Sequence, residues 1–197
     1  MKALLSYLAP ALTLFLLGSN SVYAVNCQTL ISKTPQNVEV KTTMMGRDNE
    51  VRSPYCLVSG VMSQRMGVDS QFYSIKFELR LPNFWQGRFA YQFNGGNDGQ
   101  VKPALGAMTG LIGYQYAINQ GFAVVSSNGG HDAQANPEDG LAGPAVFGHD
   151  PEARRDYGYS AVQKLNPVAR SLIESYYESP IKYSYGLGQS NGGRMAM

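Results

Sequence analysis

The residues of this chain best suited to chemistry form the pentapeptide Gly188-Gln189-Ser190-Asn191-Gly192. Its G-x-S-x-G pattern is typical of a nucleophile elbow, a tight turn that holds a catalytic serine between a strand and a helix. The glycines two positions before and after Ser190 predict a close approach of strand and helix, because they carry no Cβ atom. The pattern therefore predicts that Ser190 is a nucleophile for acyl transfer, with an exposed hydroxyl.

The flanks of the pentapeptide fit such a turn. Tyr183 to Leu187 is an aromatic and apolar run typical of a buried strand, and Arg194 to Met197 consists of good helix formers. The backbone N–H of Asn191, at the start of that helix, is expected to face a developing oxyanion. The alternative is a glycine-rich loop with an incidental serine, and the strand–turn–helix order favours the elbow.

A second oxyanion donor is expected from a loop that follows an earlier strand. Asn94-Gly95-Gly96 comes directly after a predicted strand over Arg88 to Phe93. Its glycines permit backbone N–H groups to approach a substrate oxygen closely. We therefore expect Gly95 or Gly96 to supply this donor, the alternative being a turn that binds no ligand.

The other members of a catalytic triad are not evident. In this type of elbow the acid and the base follow the serine, but no Asp, Glu or His lies between Asn191 and Met197. The two histidines, His131 and His149, precede it. Triad order varies between folds, so order alone does not exclude them, but we expect His131 to order its loop and His149 to lie near a helix start. The chain is expected to be the front part of a serine esterase, inactive as given.

The N-terminal segment, Met1 to Ala24, predicts a cleavable signal peptide. Lys2 precedes a mostly apolar stretch from Leu4 to Leu17, and Val22-Tyr23-Ala24 is a small-x-small cleavage pattern. The apolar stretch is short for a membrane span of about 20 residues, so a transmembrane anchor is the less favoured alternative. We expect a periplasmic or secreted protein.

Cys27 and Cys56 are the only cysteines, and in an exported chain such a pair predicts one disulfide. A metal site is the alternative, but two cysteines without a nearby histidine are a poor ligand set. No metal or cofactor is expected in this segment. The net charge is +2, and no basic stripe with interleaved aromatic residues is present. A nucleic-acid partner is therefore not expected, nor is a membrane-spanning segment after the signal peptide.

Strand and helix patterns alternate along the rest of the chain. Phe72 to Leu81 alternates apolar and polar residues, which predicts an antiparallel strand near a sheet edge with one wet face. Phe122 to Ser126 is an unbroken apolar run typical of a buried strand in a parallel sheet. A helix predicted over Leu105 to Asn119 would complete a βαβ unit between strands. Further strands are predicted at Val38 to Thr43, as a short edge strand, and at Tyr55 to Ser59.

The segment before the elbow strand combines a long loop with a long helix. Asn128 to Gly148 exceeds the length of ordinary connections. Asp150 to Glu178 has apolar residues three or four positions apart, which predicts an amphipathic helix. Pro167 inside that pattern predicts a kink, or two helices that meet there.

Several motifs, taken in order and spacing, resemble the tannase and feruloyl esterase family. The resemblance covers nearly all of Val25 to Met197. It includes Leu81-Pro82-Asn83-Phe84-Trp85-Gln86-Gly87-Arg88-Phe89, Asn94-Gly95-Gly96, Gly121-Phe122-Ala123-Val124-Val125-Ser126, Asp156-Tyr157-Gly158-Tyr159 and Gly188-Gln189-Ser190-Asn191-Gly192-Gly193-Arg194. Gly129-Gly130-His131-Asp132 and Asp150-Pro151-Glu152-Ala153-Arg154 are similar to the bacterial branch that contains the hydrolase of mono(2-hydroxyethyl) terephthalate.

The resemblance implies an α/β fold of the α/β-hydrolase type, with a mostly parallel sheet and an antiparallel N-terminal part. It implies small aromatic esters as substrates, and a later lid domain that often holds calcium. Residues 25–197 would then be the N-terminal portion of the catalytic domain, truncated after the elbow, with the lid and the C-terminal part missing. Gln189 departs from the family, which usually has there a cysteine paired with another beside the catalytic histidine.

Two other functions stay open. One is a non-catalytic truncated domain or remnant. The other is a serine hydrolase or acyltransferase of the same fold that acts on other esters.

Overall fold

The computed structural model describes residues 26–47 and 49–197, so the expected signal peptide over Met1 to Ala24 lies outside the described residues. A six-stranded mixed sheet with the order β1-β2-β3-β5-β4-β6 organises this part of the chain. The β1–β2, β2–β3 and β3–β5 pairs are antiparallel, whereas β4 pairs in parallel with β5 and β6. The expected antiparallel N-terminal part is confirmed. The strands are β1 (Val38–Gly46), β2 (Tyr55–Met66), β3 (Phe72–Pro82), β4 (Arg88–Gln92), β5 (Phe122–Ser127) and β6 (Tyr183–Leu187).

Helices lie mainly in the C-terminal half. They are α1 (Pro151–Arg155), a π-helical turn (Asp156–Ser160), α2 (Ala161–Tyr177) and α3 (Asn191–Ala196), with 3₁₀ helices at Cys27–Lys33, Gly113–Gln115, Ala117–Gln120 and Pro137–His149. The long helical segment is confirmed, and the alternative of two helices that meet at Pro167 is wrong because α2 runs through that residue. Pro167 is exposed, so water can solvate the carbonyl group that lacks its intrahelical donor. The irregularity lies instead at the π-helical turn.

The helix predicted over Leu105 to Asn119 is wrong. Only the two short 3₁₀ helices occur there, because Gly106 and Gly110 have φ of 67° and 87°, in the left-handed region. A Cβ atom on Gly106 would lie 2.3 Å from that of Ala117, so the loop folds tightly back on itself. Of the apolar residues at helical spacing, Leu105 and Tyr116 join a small cluster beneath this loop, whereas Met108 and Ile112 are exposed.

Two hydrophobic clusters cover the two faces of the sheet. The larger one joins α2 to β2 and β3, and includes Leu165, Leu172, Val58, Ile75, Phe77 and Leu79. The smaller one lies under the loop that connects β4 to β5, and includes Val51, Ala90, Ala104, Leu105, Ile118 and Val124.

The prediction that β3 has a wet face near a sheet edge is wrong in part. β3 lies third in the sheet, and Arg80 on its polar face is buried. The loop after β4 covers this face, since the Ala104 N–H donates to Oε1 of Glu78 at 2.8 Å. Arg80 Nε donates to the same oxygen at 2.6 Å, so Glu78 and Arg80 pair with each other beneath this loop.

The Cys27–Cys56 disulfide is confirmed. Both cysteines are buried, and the bridge ties the first 3₁₀ helix to β2. In the part of the chain that the structure describes, no helix combines the length and apolar character that a membrane crossing requires.

β6 was expected to be buried, but it is exposed. Tyr183 and Tyr185 keep 61% and 46% of their accessible surface. The reason is its place at an edge of the described sheet, where β4 covers only one side.

Candidate active site

The carboxyl ends of the parallel strands β4, β5 and β6 meet at one edge of the sheet. Gln92 at the end of β4 is paired in register with Leu187 at the end of β6. The Phe93 N–H extends this ladder by donating to the Leu187 carbonyl at 2.7 Å. The loop after β4 and the elbow after β6 therefore lie side by side.

Ser190 stands at the tip of the turn between β6 and α3 and is exposed. Its φ of 57° and ψ of −123° are rare for a residue with a side chain, and such strain is concentrated at functional sites.

The glycines that flank Ser190 are required because a side chain at either position would clash with backbone atoms, as predicted. A Cβ atom on Gly188 would lie 2.1 Å from the Gly192 carbonyl oxygen. One on Gly192 would lie 2.6 Å from the carbonyl oxygen of Phe93, so the elbow also packs directly on the end of β4.

The expected oxyanion donors surround this turn. A Cβ atom on Gly95 would lie 3.4 Å from the Gln189 carbonyl oxygen, and Gly96 has a φ of 64°. Within residues 26–47 and 49–197, no acceptor takes the backbone N–H of Gly95, Gly96 or Asn191. These donors are thus available to a ligand.

A cleft of about 520 Å³ contains both Ser190 and Gly95 in its lining. Gly96 and Asn191 adjoin lining residues but are not part of the lining. The opposite wall comes from the loop after β4 and is mainly apolar, with Lys102 as its charged residue. Its other residues are Pro103, Leu105, Ala107, Met108 and Thr109.

Gln92 fixes this wall, and sequence reasoning missed it. Its Oε1 accepts from the Gly106 N–H at 2.7 Å, and its Nε2 donates to the Pro103 carbonyl at 3.1 Å. The signal in the sequence is a polar residue directly after the apolar run Phe89 to Tyr91.

Asn94 locks the glycine loop. Its Nδ2 donates to Oδ1 of Asp98 at 3.1 Å, and to the carbonyl groups of Gln100 at 2.9 Å and Ser127 at 2.8 Å. Burial raises the pKa of Asp98 to about 6. Asn94 therefore positions the loop rather than pointing to a ligand.

Two further residues at this edge belong to motifs shared with the family but were not predicted as site residues. Arg194 Nε donates to Oδ1 of Asn191 at 2.9 Å, and its Nη1 and Nη2 donate to the carbonyl groups of Gly158 at 3.2 Å and Tyr157 at 3.3 Å. The Tyr157 hydroxyl donates to the Gly96 carbonyl at 3.3 Å. The π-helical turn thus touches both the elbow helix and the glycine loop.

Comparison with known proteins identifies the family. The family model described as tannase and feruloyl esterase matches residues 56–197. The chain belongs to the tannase and feruloyl esterase family. It is 36% identical over 143 residues to the mono(2-hydroxyethyl) terephthalate hydrolase of Piscinibacter sakaiensis, a match that covers 73% of this chain and 24% of that protein. It is 35% identical over 117 residues to feruloyl esterase B of Aspergillus niger, covering 59% of this chain and 19% of that protein.

The solved structures of two fungal esterases share the fold. The crystal structure of feruloyl esterase B from Aspergillus oryzae aligns with a TM-score of 0.64 and 26% identity, covering 86% of this chain and 32% of that one. An esterase from Aspergillus oryzae aligns with a TM-score of 0.63 and 24% identity, covering 86% and 33%. The chain spans about a quarter of the length of the mono(2-hydroxyethyl) terephthalate hydrolase.

The two histidines of this tannase and feruloyl esterase family member lie outside the Ser190 cleft. His131 is buried, stacks on Phe147 with ring centroids 3.8 Å apart, and lines a separate cleft of about 320 Å³. Its ring nitrogens have no hydrogen-bond partner of good geometry among the described residues, although the backbone of Asn97 and Gly129 approaches them. Burial lowers the pKa of His131 to about 4. His149 is exposed at the end of its 3₁₀ helix. Neither lines the Ser190 cleft.

No group of three or more His, Cys, Asp or Glu side chains within the described ranges could hold a metal ion. Asp132, which follows His131, instead accepts a hydrogen bond from Nζ of Lys76 at 3.0 Å.

Proposed function

We propose that the complete protein hydrolyses carboxylic esters of aromatic acids through a serine acyl-enzyme. One observation carries this proposal: Ser190 is exposed, has a strained backbone and shares a cleft with Gly95. The neighbouring backbone N–H groups donate no hydrogen bond to any described residue. Oriented donors of this kind are what the tetrahedral intermediate of acyl transfer requires.

In the proposed reaction, Ser190 Oγ attacks the ester carbonyl carbon and gives up its proton to a general base. The carbonyl oxygen becomes an oxyanion that accepts hydrogen bonds from Asn191 N–H and from Gly95 or Gly96 N–H. The intermediate collapses, the alcohol leaves with that proton, and water then releases the acid. Because neither His131 nor His149 lines the cleft, we place the base and its orienting acid in a part of the protein beyond these residues.

The size and lining of the cleft support an aromatic acyl group. A volume of about 520 Å³ lies within the usual range for small-molecule sites, and Leu105, Ala107 and Met108 form an apolar wall suited to a planar ring. The names of two relatives, feruloyl esterase B and mono(2-hydroxyethyl) terephthalate hydrolase, agree with this class.

The Cys27–Cys56 disulfide supports an oxidising compartment. Together with the signal peptide expected over Met1 to Ala24, it supports export to the periplasm or beyond the cell.

The test uses protein expressed from the complete gene. Ser190→Ala is expected to abolish hydrolysis of methyl ferulate and of mono(2-hydroxyethyl) terephthalate, together with labelling by a fluorophosphonate probe. Ser184→Ala is the matched control, because Ser184 is exposed on β6 and contacts Arg170 rather than the cleft. Labelling that survives in Ser190→Ala would contradict the proposal. If the complete protein neither hydrolyses these esters nor reacts with the fluorophosphonate probe, the non-catalytic alternative would be favoured.

A further inference from the structure

We propose that the π-helical turn Asp156–Ser160 is a positioning element that sets the spacing between the two oxyanion donors. Arg194 and Tyr157 make the contacts through which it acts. This inference rests on the proposed function, since the donors in question are those that would bind the oxyanion.

Arg194 ties the elbow helix to the turn. Its guanidinium spans from Oδ1 of Asn191 to the carbonyl groups of Tyr157 and Gly158, at 2.9, 3.3 and 3.2 Å. The guanidinium also lies 5.4 Å from the centroid of the Tyr157 ring. These contacts therefore fix the position of α3, and with it the Asn191 N–H, relative to the turn.

Tyr157 ties the glycine loop to the same turn. Its hydroxyl donates to the Gly96 carbonyl at 3.3 Å, while the Asp98 N–H donates to the Gly95 carbonyl at 3.3 Å. Because a peptide unit is planar, fixing the Gly95 carbonyl also fixes the direction of the Gly96 N–H. The loop is thus held at two successive peptide units, one by its own backbone and one by Tyr157.

The turn itself is firmly anchored. Asp156 at its start is buried and accepts a hydrogen bond from Nζ of Lys164 at 2.8 Å, and the Ser160 hydroxyl contacts the same carboxylate. The Tyr157 ring packs against Phe147, with centroids 5.0 Å apart. Single π-helical turns often occur at functional sites, where catalytic geometry must be held to within about 0.5 Å.

The experiment compares three variants in protein expressed from the complete gene. Arg194→Met removes all three hydrogen bonds, Arg194→Lys keeps the charge, and Tyr157→Phe removes only the contact with Gly96. Arg170→Met and Tyr159→Phe are matched controls, since Arg170 contacts Ser184 on β6 and Tyr159 is 60% exposed on the same turn. The readouts are kcat and KM on methyl ferulate, and inhibition by an arylboronic acid and by free ferulate.

Arg194→Met is expected to lower kcat by roughly 10- to 100-fold with KM nearly unchanged, because misplacing a transition-state contact affects chemistry rather than ground-state binding. Boronate affinity should fall by the same factor, since the boronate forms a tetrahedral serine adduct, and ferulate affinity should not change. Arg194→Lys should recover part of the loss. Tyr157→Phe should show the same pattern at about 2- to 10-fold, the worth of one hydrogen bond.

Several results would overturn the inference. The inference is wrong if Arg194→Met and Tyr157→Phe have the same kcat and boronate affinity as the control variants. It is also wrong if ferulate affinity falls together with boronate affinity. If Arg194→Met does not fold, Tyr157→Phe decides alone. Failure of the proposed function is distinguishable, because it would appear as turnover that persists in Ser190→Ala, or as a wild type that does not hydrolyse methyl ferulate, which would overturn the inference with it.

Discussion

Gly192 is the residue at which one added methyl group is expected to push the two halves of the proposed site apart. Its Cβ would lie 2.6 Å from the Phe93 carbonyl oxygen and 2.8 Å from that of Asn94. Both atoms belong to the backbone directly after β4 and cannot rotate away. To restore an ordinary contact near 3.4 Å, the elbow must withdraw from β4 by about 0.8 Å.

The size of that shift sets the expected effect. A displacement of about 1 Å between reacting groups can cost roughly 100-fold in rate, so Gly192→Ala should lower kcat by about that factor. Overpacking of this kind also costs about 1–3 kcal/mol in the free energy of unfolding. The assays are turnover of methyl ferulate and urea unfolding.

Gly193→Ala is the matched control one residue further along. The nearest atom to its Cβ would be the Gly188 carbonyl oxygen at 3.5 Å, an ordinary contact. Alanine is also the better helix former by about 1 kcal/mol, so this variant should keep its kcat and gain slightly in stability. If Gly192→Ala kept a kcat within threefold of Gly193→Ala, the close contact of the elbow with β4 would not be what positions Ser190.

Three further predictions concern stability. With Cys27 and Cys56 joined, intact-mass analysis after thiol labelling should find no free thiol, and replacing both by serine should lower the free energy of unfolding by roughly 3–4 kcal/mol; two labelled thiols in folded protein would refute the pairing. His131 has a pKa of about 4 when folded against 6.5 otherwise, so the unfolded chain takes up the proton first as pH falls. Relative to His131→Leu, the wild type should therefore lose about 3 kcal/mol between pH 6.5 and pH 4, and a difference that does not vary with pH would contradict this. Asp150→Asn should cost about 1–3 kcal/mol in urea unfolding, because the Arg65 guanidinium that contacts both carboxylate oxygens at 3.1 and 2.6 Å would keep only Glu152, 3.4 Å from its Nε, as a counter-charge; an unchanged unfolding midpoint would argue against it.

The features that the sequence predicted well have local causes. The alternation over Phe72 to Leu81 and the unbroken run at Phe122 to Ser126 reflect how strands bury their faces, and both became strands. The glycines around Ser190 are required by the geometry of one turn of five residues, so the local sequence pattern is sufficient to predict that turn. The elbow and its neighbouring glycine loop could for this reason be placed at one edge from the sequence.

The features that it missed depend on contacts between distant segments. The apolar spacing over Leu105 to Asn119 has a helical period, but left-handed glycines and packing against the sheet override it. The contact of Arg194 with Tyr157 joins residues 37 positions apart, and it depends on a π-helical turn that no local pattern announces. The burial of Arg80 likewise depends on a loop that follows a different strand.

The strand order also determines when the site can form. β4 follows β3 along the chain, but in the sheet it lies between β5 and β6, both of which are synthesised later. The β1–β2–β3 meander and its disulfide can assemble from neighbouring segments, whereas β4 must remain unpaired until Phe122–Ser127 and then Tyr183–Leu187 arrive. Because the glycine loop follows β4 and Ser190 follows β6, we expect the proposed site to be the last part of this segment to assemble. Formation of the native disulfide would thus report an early folding event, before the proposed site can form.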